Sequence, residues 1–304
     1  MFRKLCYLIW IANGLLLLWG VSRYVLSDDV FFIRYGNYFA PFLALIALGL
    51  IGFNLYIKSY IWAVCTAIIY LPLFLLFGGS WGSAEAVVKK SDISVLSYSV
   101  RGNNRDIESI AGVIERNTAD IIFLQEVHQL GELAALTSGI YGGSKVHSCM
   151  WKGFVLLSRY PVTEKSKPLC VIHHPDGDIH SYNVHLDKAL IKLDGQKRNL
   201  DRVLQELSKL SGPKLVVGDF NATELTSSYK RMSEQFGNAH QEVGSGLGFT
   251  FPTSVRRFYP GFAVIRIDHI FYSDEFSAVS SAVIDDYGKA DHYPIRASLR
   301  YRKE

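Results

Sequence analysis

Three apolar stretches crowd the first eighty residues, 5–21, 38–57 and 60–77, and none carries a charge inside it. Each approaches the roughly twenty residues that a helix needs to cross the hydrocarbon core of a bilayer. One such stretch suits a buried core helix equally well; three in succession do not. Trp19, Tyr38, Tyr56, Tyr60 and Trp62 stand near their ends, where amphipathic rings favour the membrane interface. The first stretch has the basic start of a secretory signal, Arg3-Lys4, yet no small-residue cleavage site follows Val21. The pattern predicts a membrane domain of three transmembrane helices over 1–79. A Gly/Ser/Ala-rich linker is expected over 80–90, and a single soluble domain over 91–304.

The basic residues orient these helices. Arg3 and Lys4 precede the first and Lys58 lies in the turn between the second and third, whereas the loop over 22–37 balances Arg23 and Arg34 against Asp28 and Asp29. The positive-inside bias therefore puts the amino terminus in the cytoplasm. Three crossings carry everything beyond Ser80 to the far side of an inner (plasma) membrane, the periplasm of a Gram-negative cell. The first 84 residues hold five of the 32 Lys and Arg and two of the 28 Asp and Glu, leaving 27 against 26. So neutral a soluble part lacks a broad field for gathering nucleic acid. The local strip Lys188, Lys192, Lys197, Arg198 and Arg202 fits the solvated face of a helix better than a phosphate track. Cys149 and Cys170 also fall here; an oxidising compartment would permit them to pair, and two buried thiols suit the sequence equally.

Beyond the linker, 93–100 alternates as a first strand, Asn103 or Asn104 is placed to cap a helix reaching Arg116, and 120–125 is an apolar second strand with Glu126 at its end. A helix over 130–137 and consecutive strands over 145–151, 154–158, 169–173 and 180–186 follow. Leu193, Leu200, Val203, Leu204 and Leu207 then recur at helical spacing. That helix leads into the β-branched run ending Gly218-Asp219-Phe220-Asn221. The run reads as a buried strand whose last residues leave the sheet, with a carboxylate and a carboxamide two positions apart on one side. The remaining strands are expected over 264–272, 278–284 and 293–301. Two batches of strands with helices between, but no strict βαβ rhythm, predict an α/β fold of two packed β-sheets flanked by helices.

Polar residues gather at the strand ends: Gln125-Glu126-Val127, Asn183-Val184-His185-Leu186, Gly218-Asp219-Phe220-Asn221, Arg266-Ile267-Asp268-His269-Ile270 and Asp291-His292-Tyr293-Pro294-Ile295. In this order they resemble the endonuclease/exonuclease/phosphatase superfamily, over nearly all of 91–301. The three apolar stretches ahead, and Thr250-Phe251-Pro252 before Arg266, are similar in layout to its membrane-anchored, YafD-like bacterial branch. The resemblance implies a four-layer α/β/β/α sandwich and a metal-dependent phosphoester hydrolase.

Cleaving a phosphodiester calls for an activated water, neutralised charge on the phosphoryl oxygens and help for the departing alkoxide. Glu126 is the expected ligand of Mg²⁺ (or Mn²⁺), a hard cation that keeps most of its waters and takes one or two carboxylates. His292 is expected to act as general base, oriented by Asp291. Asp219 and Asn221 are expected to position the nucleophile and bind a phosphoryl oxygen. The resemblance implies that His185 hydrogen-bonds the phosphate and protonates the leaving group; Asp268 would orient a histidine, His185 by preference, or bind metal at a distance. His269, next to it, points to the other face of the strand as a structural residue. One position departs from the family pattern: Ser99, in Tyr98-Ser99-Val100, stands where the family has asparagine, and its shorter hydroxyl would reach a metal weakly or through water. The expected partners are the lipid bilayer and a phosphoester substrate, either a phospholipid headgroup, given a linker of about a dozen residues, or nucleic acid. A nuclease is thus one alternative. A scaffold that has lost turnover is the other, with Ser99 its only sequence support.

Overall fold

A computed structural model describes residues 2–78, 87–90, 92–101, 104, 106–255 and 262–302; most of the expected linker, and Asn103, lie outside them. Apolar sequence near the amino terminus folds as α1 (Phe2–Val25), α2 (Phe31–Tyr38), α3 (Ala40–Tyr56) and α4 (Tyr60–Gly78). Helices α1 and α4 are long and apolar enough to cross a membrane; α2 and α3 make a third candidate span, bent by 83° at their junction. The loop expected over 22–37 is therefore largely helical: α1 runs on to Val25, and Phe31–Tyr38 forms a separate short helix. Pro41 sits in the first turn of α3, where its missing N–H breaks no hydrogen bond. Asn13, Asn54 and Thr66, one from each long helix, are fully buried together, and Asn13 Oδ1 accepts from Asn54 Nδ2 at 3.0 Å and Thr66 Oγ1 at 3.4 Å. Such bonds join helices where no water competes for them. Leu8, Ile11, Leu15, Leu45, Ile61 and Leu75 point outward and are exposed.

The rest of the chain forms, in order, β1 (Ile93–Ser99), α5 (Ile107–Arg116), β2 (Ile121–Val127), α6 (Leu130–Leu136), β3 (His147–Trp151), β4 (Gly153–Ser158), β5 (Val162–Ser166), β6 (Leu169–His174) and β7 (Gly177–His185). There follow α7 (Ala189–Leu207), β8 (Lys214–Asp219), α8 (Ser227–Ser233), β9 (Gly237–Asn238), α9 (Ala239–Val243), β10 (Asp268–Tyr272), β11 (Phe276–Val283) and β12 (Ile295–Tyr301). One sheet has the order β11-β12-β1-β2-β4-β3, the other β5-β6-β7-β8-β10-β9. Each holds a central parallel pair, β1 with β2 and β7 with β8. Strand β5 has no apolar run to announce it, since most of its side chains face solvent at a sheet edge. The cap of α5 is Asp106, whose carboxylate accepts from Ser109 N, while Asn104 instead accepts from Asp106 N.

Alternation along the strands sorts side chains into layers. Val95, Phe123, Leu215, Val217, Ile270 and Ala297 meet between the sheets. Leu96, Ile122 and Leu124 turn outward onto Ile110 and Ile114 of α5, and Val184, Val216 and Phe271 onto Leu200, Val203 and Leu204 of α7. The result is two packed sheets flanked by helices. Each fully buried Ile or Leu contributes about 1.5–3 kcal/mol, so outer layers this apolar hold the helices firmly to the sheets. Gly218 has φ +144°, and a Cβ there would lie 2.0 Å from Val184 O; glycine is what lets β8 close on β7 immediately before Asp219.

Cys149 on β3 and Cys170 on β6 form a disulfide that staples one sheet to the other. Cys6 and Cys65 are free thiols. Alkylation of the unfolded protein should accordingly label two cysteines before reduction and four after it, as read by mass spectrometry; four labels without reductant would show that the staple does not form.

Candidate active site

Both parallel pairs end at the same rim of the sandwich, and β10 and β12 begin there. In β7, β8 and β10, His185 lies beside Asp219 and Asp219 beside Asp268. All three follow the alternation that puts Val217 and Ile270 between the sheets, so they project into the gap above the core. In the facing sheet Ser99 pairs with Gln125. His292 arrives on the loop before β12 and is buried together with Asp291, Asp219 and Asp268.

Strict alternation would turn Glu126 away from this gap, onto the α5 side. The pairing of β2 with β4 slips between Gln125 and Val127, and Glu126 takes φ +61°. This bulge re-aims the side chain. Glu126 Oε1 consequently lies 3.3 Å from His185 Nε2, which is itself 3.6 Å from Asp219 Oδ2. Below them Gln125 Nε2 donates to Asn183 Oδ1 at 2.8 Å, and Asn183 Nδ2 reaches the carbonyls of Leu124 and Val155 at 3.1 Å. This bridge ties the two sheets beneath the site. Both residues belong to the sequence motifs, but nothing local marks them as partners across the gap.

The histidine pairing differs from the expected one. Asp268 Oδ2 accepts from His292 Nδ1 at 2.8 Å, so Asp268 orients His292 and not His185. The strand order explains this: β8 stands between β7 and β10, and two strand spacings of about 4.8 Å separate His185 from Asp268. The same contact takes the orienting role assigned to Asp291, which acts on His292 as a nearby negative charge. The other imidazole nitrogen, Nε2, faces Asp219 Oδ2 at 3.8 Å. Burial alone would strip the proton from His292, but the carboxylates of Asp268 and Asp219 outweigh it and hold the imidazole up to about 9. Burial also raises the Asp219 carboxyl to about 6, against the pull of His292.

Asn221, at φ +44°, folds back on Asp219. Its N–H donates to Asp219 Oδ1 at 2.8 Å, and its amide Nδ2 donates to Leu186 O at 2.9 Å and Asp219 Oδ2 at 3.2 Å. Both amide hydrogens are thereby engaged, and none is left for a phosphoryl oxygen; Asn221 holds Asp219 in place instead. The Thr250-Phe251-Pro252 run braces the other wall. Thr250 O accepts from Tyr293 N at 2.7 Å, Thr253 N donates to Asp291 O at 2.9 Å, and the Phe251 ring packs 4.8 Å from His292.

His269 turns to the opposite face, against Phe220, Tyr229 and Phe271, and donates from Nε2 to Ala222 O at 2.8 Å. Burial, with Arg266 nearby, drives its imidazole down to about 3, and the same two causes drive His240 down to about 4. Both stay neutral when folded and take up a proton on unfolding below about pH 6.5. The contribution of these two histidines to stability is thus full above that pH and falls as the pH drops, by about 1.4 kcal/mol per unit for each. Denaturant titrations from pH 7 to 5 should show this slope, shallower in His269→Gln; a flat profile would contradict it.

The oxygens around the gap suit a hard cation. Asp219, Asp268 and His292 offer ligand atoms within 4.8 Å of one another, and Glu126 and Ser99 lie on the facing sheet. Asp268 Oδ1, Ser99 Oγ and Gln125 Oε1 are buried without a hydrogen-bond partner, and buried carboxylates this close repel one another. A divalent ion would answer both deficits.

The pattern of the endonuclease/exonuclease/phosphatase family matches residues 95–292. No curated protein gives a significant match. Among solved structures, an endonuclease/exonuclease/phosphatase from Bacteroides vulgatus superposes with a TM-score of 0.58 at 18% identity, covering 70% of this chain and 100% of that one. Truncated Caenorhabditis elegans TDP2 gives 0.53 at 20% identity over 71% of this chain and 100% of that one. A mannosyl-6-phosphatase from Bacteroides thetaiotaomicron gives 0.54 at 19% identity over 69% and 100%. At such identities the likeness concerns the fold, and it is the matched family pattern, running from β1 to His292, that decides membership: the chain belongs to the endonuclease/exonuclease/phosphatase family.

Proposed function

We propose that this protein is a membrane-held, Mg²⁺- or Mn²⁺-dependent phosphoester hydrolase. The observation that carries the reading is the row His185, Asp219, Asp268 across three adjacent strands, with His292 seated on the two buried carboxylates. In the resting site one proton belongs to the Asp219 and His292 pair jointly. Glu126, Asp219 and Asp268 would hold the cation, which would neutralise charge at the phosphoryl oxygens. Once its resting proton has passed to solvent, His292 Nε2 takes the proton of the attacking water, with Asp268 stabilising the imidazolium through Nδ1. His185, a quarter exposed beside Glu126, is placed to donate to the departing oxygen.

The substrate we favour is a phospholipid headgroup, because α2, set between two apolar helices, hydrogen-bonds the active-site loop through Asn37. Helix α2 rests on the same sandwich that follows α4, so both lie on one side of a membrane. That is the outcome when α3 and α4 each cross it. An extracytoplasmic side accords with the Cys149–Cys170 disulfide and with the placement of Lys58. The purified chain should be assayed on phospholipid vesicles, single- and double-stranded DNA and a sugar phosphate, the last because one structural neighbour is a mannosyl-6-phosphatase. Preference for vesicles supports the reading; turnover of DNA alone would make the protein a nuclease. A carboxyl-terminal reporter active only in the cytoplasm would refute the topology.

A further inference from the structure

The loop that follows Asp219 is held by a segment some 180 residues earlier in the chain. Tyr38, at the end of α2, is buried and donates its hydroxyl to Asn221 O. Gln196 Nε2 donates to the same carbonyl at 2.6 Å. Thr223 Oγ1 donates to Asn37 O at 3.1 Å, and Asn37 Nδ2 donates to Leu225 O at 3.2 Å and to Asp28 Oδ1 at 2.7 Å. Asp28 Oδ2 accepts from Ser227 N, and Lys197 on α7 pairs with Asp29. Around these polar contacts Tyr38 packs with Ala189, Leu193, Ile265 and Ile267 of the sandwich in one buried apolar cluster.

The contacts converge on one peptide unit. Asn221 is in the left-handed region, which asparagine tolerates better than most residues but does not prefer. Two donors on its carbonyl, one from Tyr38 and one from Gln196, fix the plane of the peptide that follows. The Asn221 N–H and side chain then fall on the Asp219 carboxylate. A hydroxyl from the connection between the first two apolar helices thus acts through Asn221 on the centre of the site.

We propose that Tyr38 is a positioning residue of the active site, and that the segment from Asp28 to Tyr38 is a built-in part of that site and not merely a tether. The hydrolase reading underlies the kinetic half of this inference, and the loop's own dynamics test the other half. Tyr38→Phe removes one oxygen and keeps the packing. In the full-length protein it should lower kcat about three- to tenfold, the usual worth of one buried hydrogen bond, with KM little changed. Amide hydrogen exchange should speed up over 219–228 and stay unchanged in the rest of the sandwich. Tyr70→Phe is the control: Tyr70 is equally buried, but its hydroxyl donates to Leu16 O inside the helical bundle, and its loss should leave kcat and loop exchange as in wild type. Thr223→Val, which cuts another bond of the same clamp, should repeat the Tyr38 effect on exchange. Wild-type kcat and exchange in Tyr38→Phe, or an equal loss in Tyr70→Phe, would overturn the proposal. If the wild-type chain turns over no phosphoester, the hydrolase reading fails by itself, and faster exchange confined to 219–228 in Tyr38→Phe still decides whether the loop is positioned from α2.

Discussion

His292→Ala is expected to lower kcat by about 10²–10⁴ at saturating Mg²⁺, the usual contribution of a positioned base. The imidazole cannot be replaced from its surroundings. Nδ1 is fixed by Asp268 at 2.8 Å, Phe251 packs on the ring, and His185 lies across Asp219 in the next strand. A second effect follows from burial. Without the imidazolium, Asp219 and Asp268 become buried carboxylates with no cation between them. Breaking a buried ion pair costs about 3–5 kcal/mol when one partner is left behind, so the metal-free variant should melt at a lower temperature than wild type. Added Mg²⁺ should close most of that gap. Melting curves recorded with Mg²⁺ and with chelator separate the two effects; an unchanged melting temperature in both would show that His292 is not the counter-ion of this pair.

Glu126→Gln should raise the half-saturating Mg²⁺ concentration by tenfold to a hundredfold. The change keeps the shape of the side chain and removes its charge, and an interaction with a charged partner contributes about 1.5–3 kcal/mol. Glu126 sits at a bulge, with φ +61°, and glutamine matches it in size and backbone demands, so the fold should tolerate the change. Ser99→Asn should act in the opposite direction. The Ser99 hydroxyl is buried without a partner, and a carboxamide reaches one bond further toward the gap between the sheets. Titrating Mg²⁺ against initial rate for the three proteins checks both statements. An unchanged midpoint in Glu126→Gln would remove Glu126 from the metal site.

Asp219 and Asn221 stand out in the sequence because the apolar run before them reads as a buried strand leaving its sheet and the other motifs accompany it, whereas Gly-Asp-Phe-Asn by itself suits an ordinary turn equally. The rim on which the other motifs meet was legible for the same reason: each motif ends or begins a strand. Which residue touches which was not. Asp268 is chemically as good a partner for His185 as for His292, and only the strand order decides between them. Glu126 sits at a position that alternation sends to the wrong face, and the one-residue bulge that corrects it has no signature in Gln125-Glu126-Val127. Asn221 looks like a phosphate ligand until its amide hydrogens are counted. Tyr38 carries no signal at all, since an aromatic residue at the edge of an apolar stretch reads as a membrane-interface anchor. Its hydroxyl finds the Asn221 carbonyl only through the 83° bend between α2 and α3. Strand β5 escaped because an exposed edge needs no hydrophobic face.

Release of p-nitrophenol from bis(p-nitrophenyl) phosphate by the purified full-length chain, with Mg²⁺ and after chelation, probes this cleft most directly, alongside His292→Ala under the same conditions. Release that depends on the metal, stops with chelator, returns when Mg²⁺ is restored and is lost in His292→Ala is the predicted result. Release that persists without a divalent ion, or that His292→Ala leaves undiminished, would contradict it, as would a wild-type protein that releases nothing with either Mg²⁺ or Mn²⁺.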